Sequence, residues 1–378
     1  MRTGSMRFAE VSRSAIAHNV RRVQEVTGAN VIAVLKANGY GHGANIAAEA
    51  ALAGGARILG VADIEEALAL REAGFLSDRA DILCWLHGAD ADFTAAVAAD
   101  IELGVSHVEQ LEAVANAARQ LNKTAVLHLK LDTGLSRNGA GPEEWREFFA
   151  RAAELESTGT VWVRGIFTHL ANTSEQADLE QGRVFDAAVA LARKSGIEPE
   201  LLHVAASAAS FTRPQLYYNA VRVGVAIYGL SPFADRTSAE LGLRPALKLI
   251  AEIVALREVP AGTGVSYGST YRTEADTVLA LVPVGYADGM PRALNNTDAT
   301  VSVGGVKRPI VGRIGMDQCV IDLGKELGAQ ARLGDRVVLF GDAAAGEPPV
   351  EEWSNRLHTI NYEVIARLGA RLHRIAAD

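Results

Sequence analysis

Residues 31–45 read VIAVLKANGYGHGAN. A short apolar run of Val, Ile, Ala and Leu has the composition of a buried strand, and it ends on Lys36, followed by Gly39, Gly41 and Gly43. An ammonium group is costly to bury and glycine is costly to order, so a chain that spends both at one strand end points to a ligand there. Three readings are open on these residues alone. Lys36 snorkels from a strand end into water. Alternatively, Lys36 sits in an apolar wall, where burial lowers its pKa and frees the amine to attack a carbonyl. Finally, Gly39, Gly41 and Ala44 fit a G-x-G-x-x-A dinucleotide fingerprint, with Asp63 as the ribose-binding acid.

Working outward, strand-like runs alternate with helix-period segments from about residue 31 to about residue 230. The runs are VIAVLK, RILGVA, DILCWL, IELGV, AVLHLKLD, VWVRGIFTHL, LLHVAA and NAVRVG, eight in all. Between them, SHVEQLEAVANAARQL carries Ser106 and Glu109 at capping-box spacing and an apolar face of Val108, Leu111, Ala115, Ala118 and Leu121. PEEWREFFARAAELE places Pro142 in a first turn and Trp145, Phe148, Ala152 and Leu155 on one stripe. Eight strand–helix units over roughly 200 residues match a (β/α)8 barrel, whose functional residues lie at the carboxyl ends of its strands. That many uninterrupted units ranks the dinucleotide reading below the barrel.

After about residue 240 the texture changes to strand-like pieces punctuated by Gly and Pro, with two short helices around residues 350–357 and 361–368. The expected fold is therefore α/β: an N-terminal (β/α)8 TIM barrel over 1–239, then a mostly β domain over 240–378.

Lys and Arg number 37 against 45 Asp and Glu, a formal charge of −8, which argues against nucleic acid or a membrane surface as partner. Cys84 and Cys319 are too few for a disulfide framework and read as buried thiols in a reducing compartment, so the cytoplasm is the expected location. No apolar run has the length of a signal sequence core or a membrane span, and no metal is expected.

Two segments enrich the barrel mouth. In HLKLDTGLSRNG, strand alternation sets His128, Lys130 and Asp132 opposite Leu127, Leu129 and Leu131, lining the interior with polar groups; a buried Lys130 there needs a partner or a chemical modification. In NAVRVGVAIYGL, Arg222 approaches the end of the eighth run and leads into Gly224 and Val225, where barrels often bind phosphate through backbone N–H groups; Ser207 adds a hydroxyl. A lysine-dependent aldolase and a pyridoxal phosphate enzyme both satisfy this pattern.

AVLKANGYGHG resembles the cofactor-lysine motif of the bacterial, pyridoxal phosphate-dependent alanine racemases of fold type III. HLKLDTGLSRNG, GIFTHLA, AVRVGVAIYGL, VSYGSTY, VGYADG, GRIGMDQ and TINYEV resemble that family's segments in its order, over nearly the whole chain. The resemblance implies that Lys36 binds the cofactor covalently and serves as one catalytic base, with Tyr267 of a second subunit as the opposing base. It implies a homodimer whose β domain reaches the partner's active site. Cofactor contacts would come from Tyr40, Ser207, Gly224, Val225 and Tyr362 at the phosphate, and from Arg222, with His169 beside it, at the pyridine nitrogen. Arg137 and the backbone of Met316 would meet the substrate carboxylate, and Lys130 would be carbamylated. The implied activity is interconversion of L-alanine and D-alanine for peptidoglycan.

The chain departs from the family pattern at Ala206, where Asn is common, at Gly315, where Cys is common, and at Ser136, where Gly is frequent. These positions bear on preference among small amino acids. Two competitors share the barrel and its lysine: a decarboxylase of the same architecture and a cofactor carrier. The tyrosine in VSYG and the GMDQ segment favour racemisation over decarboxylation. The long β region disfavours a carrier.

Overall fold

The structure is a computed structural model and describes residues 4–378. The chain forms two compact units. A barrel unit comprises Ile16–Gly39 and Ala47–Leu243, and a sheet unit comprises the N-terminal segment through Ala15, Tyr40–Ile46 and Arg244–Asp378.

Strand β1 (Arg7–Val11) belongs to the sheet unit. The next eight strands close the barrel: β2 (Asn30–Val34), β3 (Ile58–Val61), β4 (Asp81–Cys84), β5 (Glu102–Val105), β6 (Ala125–Lys130), β7 (Val161–Phe167), β8 (Leu201–His203) and β9 (Ala220–Val223). All neighbours are parallel, and β9 returns to β2 with Ile32 opposite Arg222. Seven of these strands lie within the apolar runs read from the sequence, and β2 begins one residue before its run, at Asn30. Ile32, Ile58, Leu83, Leu201 and Ala220 pack as one buried cluster with Trp85 against it.

The apolar stripe expected from Trp145 to Leu155 is buried, whereas Val108 and Leu121, at the two ends of the face expected on the preceding helix, are only half-buried. Helix Trp145–Ser157 buries Trp145, Phe148, Ala152 and Leu155, and helix Arg13–Thr27 buries Ile16, Val20 and Val23. The capping box expected at Ser106 does not form. Helix Val108–Leu121 starts later, with His107 at its N-cap and no side-chain cap, while the Ser106 N–H donates to Gln110 Oε1 at 2.9 Å. Glu109 is drawn to His107 Nδ1 at 3.0 Å instead.

The sheet unit holds β10 (Leu247–Glu252), β11 (Ala255–Val259), β12 (Gly264–Val265), β13 (Tyr271–Arg272), β14 (Thr277–Val282), β15 (Thr300–Val303), β16 (Val306–Val311), β17 (Cys319–Asp322), β18 (Arg336–Phe340) and β19 (His373–Ala376). Its main sheet has nine strands in the order β11-β14-β17-β16-β15-β18-β10-β1-β19, and β12 pairs with β13 as a ribbon. A cut by sequence at 239/240 leaves β1 on the barrel side. Pairing instead places it in the sheet, antiparallel to β10 and parallel to β19. Short helices Val350–Arg356 and Asn361–Ala366 lie in this unit, the first burying Trp353 completely. Among the described residues, no helix is long and apolar enough to cross a membrane.

Candidate active site

The glycine-rich stretch adopts an unusual path. Ala37, Asn38, Gly39 and Tyr40 have φ near +50 to +63°, a left-handed turn closed by the Gly39 N–H donating to the Leu35 carbonyl at 2.6 Å. Left-handed geometry costs roughly 1–2 kcal/mol for each non-glycine residue, and such strain collects at functional sites. Glu66 secures the segment from the first turn of the helix after β3: Oε1 accepts from the Ala37 N–H at 2.6 Å and Oε2 from the Ala62 N–H at 2.9 Å. Asp63, a candidate ribose acid in the dinucleotide reading, is an N-cap that accepts from the Glu66 N–H at 3.0 Å. With the sheet closed into a barrel, the dinucleotide reading does not hold.

Lys36 follows β2 and is half-buried, Lys130 ends β6 and is buried, Arg222 lies buried in β9, and Arg137 is exposed in the loop after β6. The Lys36 amine is pushed below the usual lysine range by burial, then by Arg137 and Arg222, while Glu66 opposes the shift. Lys130 falls to about 8 through burial, Arg222 and Arg137, with Asp132 opposing. Burial brings Arg222 to about 9. His169, after β7, falls to about 3 through burial and then the surrounding cations, so it is neutral at working pH. Four basic side chains around one neutral histidine give the site a positive character that Glu66 and Asp132 only partly offset.

Arg222 is held from all sides. Its Nη1 donates to the His203 carbonyl at 2.6 Å and to His203 Nδ1 at 3.2 Å; its Nη2 donates to the Thr168 carbonyl at 2.7 Å and to His169 Nδ1 at 3.0 Å. The Phe167 ring lies 5.2 Å from its guanidinium carbon. No described residue accepts from its Nε. Just beyond β9, no described residue accepts from the N–H of Gly224 or Val225, which open a short 3₁₀ turn, and the buried Ser207 hydroxyl sits 3.4 Å from the Ala226 nitrogen. Buried backbone donors without partners are rare, and at a helical start they suit an anion such as phosphate.

The remaining sequence-predicted residues lie in the sheet unit. Tyr267 and Met316 are 71% and 54% exposed. Tyr267 lines a concavity of about 290 Å³ with Ser266, Leu281, Arg313, Gly315, Gln318 and Val320. The N–H of Met316 has no acceptor among the described residues, while its carbonyl accepts from the Ala287 N–H at 2.9 Å. Tyr40 and Tyr362 interact: burial pushes Tyr362 up to about 12, and burial with Tyr362 raises Tyr40. Ser136 holds φ at 57°, a left-handed conformation that glycine adopts without strain.

Comparison with known proteins identifies the family. Residues 11–232 match the alanine racemase N-terminal domain, and residues 246–376 match the alanine racemase C-terminal domain. The chain belongs to the alanine racemase family. Alanine racemase from Thermobifida fusca is 44% identical over 371 residues, covering 97% of each chain, and that of Mycolicibacterium smegmatis is 44% identical over 369 residues, covering 96% of this chain and 93% of its own. The alanine racemase structure from D-cycloserine-producing Streptomyces lavendulae superposes with a TM-score of 0.94 at 42% identity, covering 100% of this chain and 98% of its own. That from Streptomyces coelicolor gives 0.93 at 40%, covering 99% and 98%. As a family member the chain is an amino-acid racemase, an isomerase.

Sequence reasoning missed Glu66, Phe167 and His203. Glu66 reads as an ordinary first-turn acid and Phe167 as core. His203 in LLHVAA has the signal that drew attention to His128, a polar residue in an apolar strand, and could have been found by it.

Proposed function

We propose that this chain interconverts L-alanine and D-alanine with pyridoxal 5′-phosphate, as a homodimer with shared active sites, in the cytoplasm, supplying D-alanine for peptidoglycan. The carrying observation is a lysine with lowered pKa among buried cations, next to backbone donors that lack an acceptor. These residues fit the cofactor. Gly224, Val225 and Ser207 would hold its phosphate, and the free Arg222 Nε–H would meet its pyridine nitrogen. Lys36 would bind it covalently. When bound, the cofactor supplies an electron sink for negative charge developing at the substrate Cα.

The chain's own residues do the rest. Lys36, its amine pushed below the usual lysine range by burial, exchanges a proton with one face of Cα. Tyr267 of a second copy exchanges a proton with the other. Arg137 and the Met316 N–H bind the substrate carboxylate, and a carbamylated Lys130 becomes an anion that orients Arg137. Arginine donates at every nitrogen, so Arg222 disfavours a proton on the cofactor ring.

Chiral product analysis with alanine and serine tests the proposal. Wild type should invert alanine, and Lys36→Ala and Tyr267→Phe should each lose inversion. Carbon dioxide release without inversion would make it a decarboxylase. Cofactor bound at Lys36 with both alanine enantiomers left untouched would make it a carrier.

A further inference from the structure

A line of buried side chains runs from Arg222 through the barrel interior. Arg222 Nη1 faces His203 Nδ1, His203 Nε2 lies 2.9 Å from His128 Nδ1, and His128 Nε2 lies 2.8 Å from Glu102 Oε2. Arg164 donates to the other oxygen, Glu102 Oε1, and to Asp81 at 2.7 Å. His203 and His128 are fully buried and Glu102 is 4% exposed. The fold makes room for this line. A Cβ on Gly165 would stand 2.2 Å from His128 Nδ1, and the β6–β7 register shifts beside His128. Phe167 stacks on His203 with centroids 4.7 Å apart and planes 6° from parallel.

The proton positions follow from the two arginines. Arg222 can only donate, so His203 must accept at Nδ1 and carry its proton on Nε2. That proton points at His128 Nδ1, so His128 is neutral with its proton on Nε2, directed at Glu102. The carboxylate accepts it. Burial pushes Glu102 upward, but His128 and Arg164 outweigh it and leave the group below the usual glutamate range.

We propose that Glu102, two histidines away from Arg222, is a positioning residue: it sets the proton polarity of the His128–His203 relay so that His203 presents a lone pair that locks Arg222 in place. No step needs a proton to travel along the relay. Its consequence for catalysis rests on the role proposed above for Arg222, whereas its polarity does not.

Glu102→Gln tests the relay with one changed atom. Arg164 claims the amide oxygen, so the NH2 faces His128 Nε2 and both histidines must move their protons to Nδ1, which sets His203 N–H against Arg222 N–H. Adding Arg164→Met frees the amide to turn its oxygen toward His128 and restores the original polarity. Nitrogen-15 NMR of labelled His and Arg in the holoenzyme reads tautomers and Arg222 directly. Expected are Nε2–H at both histidines in wild type and Nδ1–H at both in Glu102→Gln, with shifted Arg222 resonances. The same variant should lose roughly tenfold or more in kcat with a smaller change in KM, and the double variant should recover on every measure. Nδ1–H at His203 in wild type overturns the proposal even if neither variant folds. So do unchanged tautomers in Glu102→Gln, or inverted tautomers with Arg222 resonances and kcat unmoved. Correct tautomers in a wild type that does not racemise would sink the proposed function and leave the relay standing.

Discussion

Arg222 donates from Nη2 to His169 Nδ1 across 3.0 Å, which fixes His169 as an acceptor at that nitrogen and leaves its proton on Nε2. A second proton would have to sit between the ring and a guanidinium. Burial adds to that penalty, and the pKa of about 3 reflects both.

His169 should therefore weaken the protein in acid. Its folded pKa lies below the unfolded one, so as pH falls below the ordinary histidine range the unfolded chain takes up a proton that the folded chain refuses, and stability declines toward about pH 3. Denaturant titrations at about pH 7 and 5 should show a loss for wild type that is smaller in His169→Asn. Equal losses would remove His169 from the linkage.

Lys130 should take up carbon dioxide. Its pKa of about 8 leaves about a tenth of the amine neutral at pH 7, far more than an ordinary lysine keeps, and the neutral form is the one that makes a carbamate. Conversion to an anion would relieve a lysine pressed by Arg222, Arg137 and Lys36. Equilibration with carbon-13 bicarbonate should give a carbamate carbonyl signal that grows as pH rises through about 8 and is absent in Lys130→Ala. The same signal in wild type and variant would place the modification elsewhere.

The barrel was legible because periodicity and strand count are local properties that repeat. Eight apolar runs at strand spacing leave few closed architectures. The mouth was legible only in part. Lys36, Lys130 and Arg222 stand out as charges in apolar strands, whereas Glu66 acts by reaching two backbone N–H groups, 37 and 62, that only the folded chain brings together. The capping box at Ser106 failed for the same kind of reason, since the neighbouring Gln110 offered its backbone N–H a better acceptor. The membership of β1 depends on pairing partners more than 230 residues away, which no local pattern encodes.

Gly41 is required for more than its φ of +82°. A Cβ there would stand 2.1 Å from the Ile365 carbonyl oxygen, a backbone atom that cannot swing aside, while the Gly41 carbonyl accepts from Arg374 Nε at 2.6 Å. Left-handed strain and overpacking each cost roughly 1–3 kcal/mol, so Gly41→Ala should lose several times RT in stability. A melting temperature within a degree or so of wild type would show that the turn relaxes freely.

Which subunit supplies Tyr267 can be read by mixing two dead enzymes. Tyr267 and Met316 are mostly exposed on the single chain, as groups that complete a neighbour's site should be. On the proposed reading, Lys36→Ala and Tyr267→Phe dimers would each lack one base in both sites. If each site pairs Lys36 of one chain with Tyr267 of the other, a mixed dimer has one site missing both bases and one site entirely wild type. Random exchange at equal concentrations makes about half the dimers mixed, so activity should return to roughly a quarter of wild type. If both bases came from one chain, every site in the mixed dimer would still lack one. Activity would then stay at the level of the parents, however completely the subunits exchange.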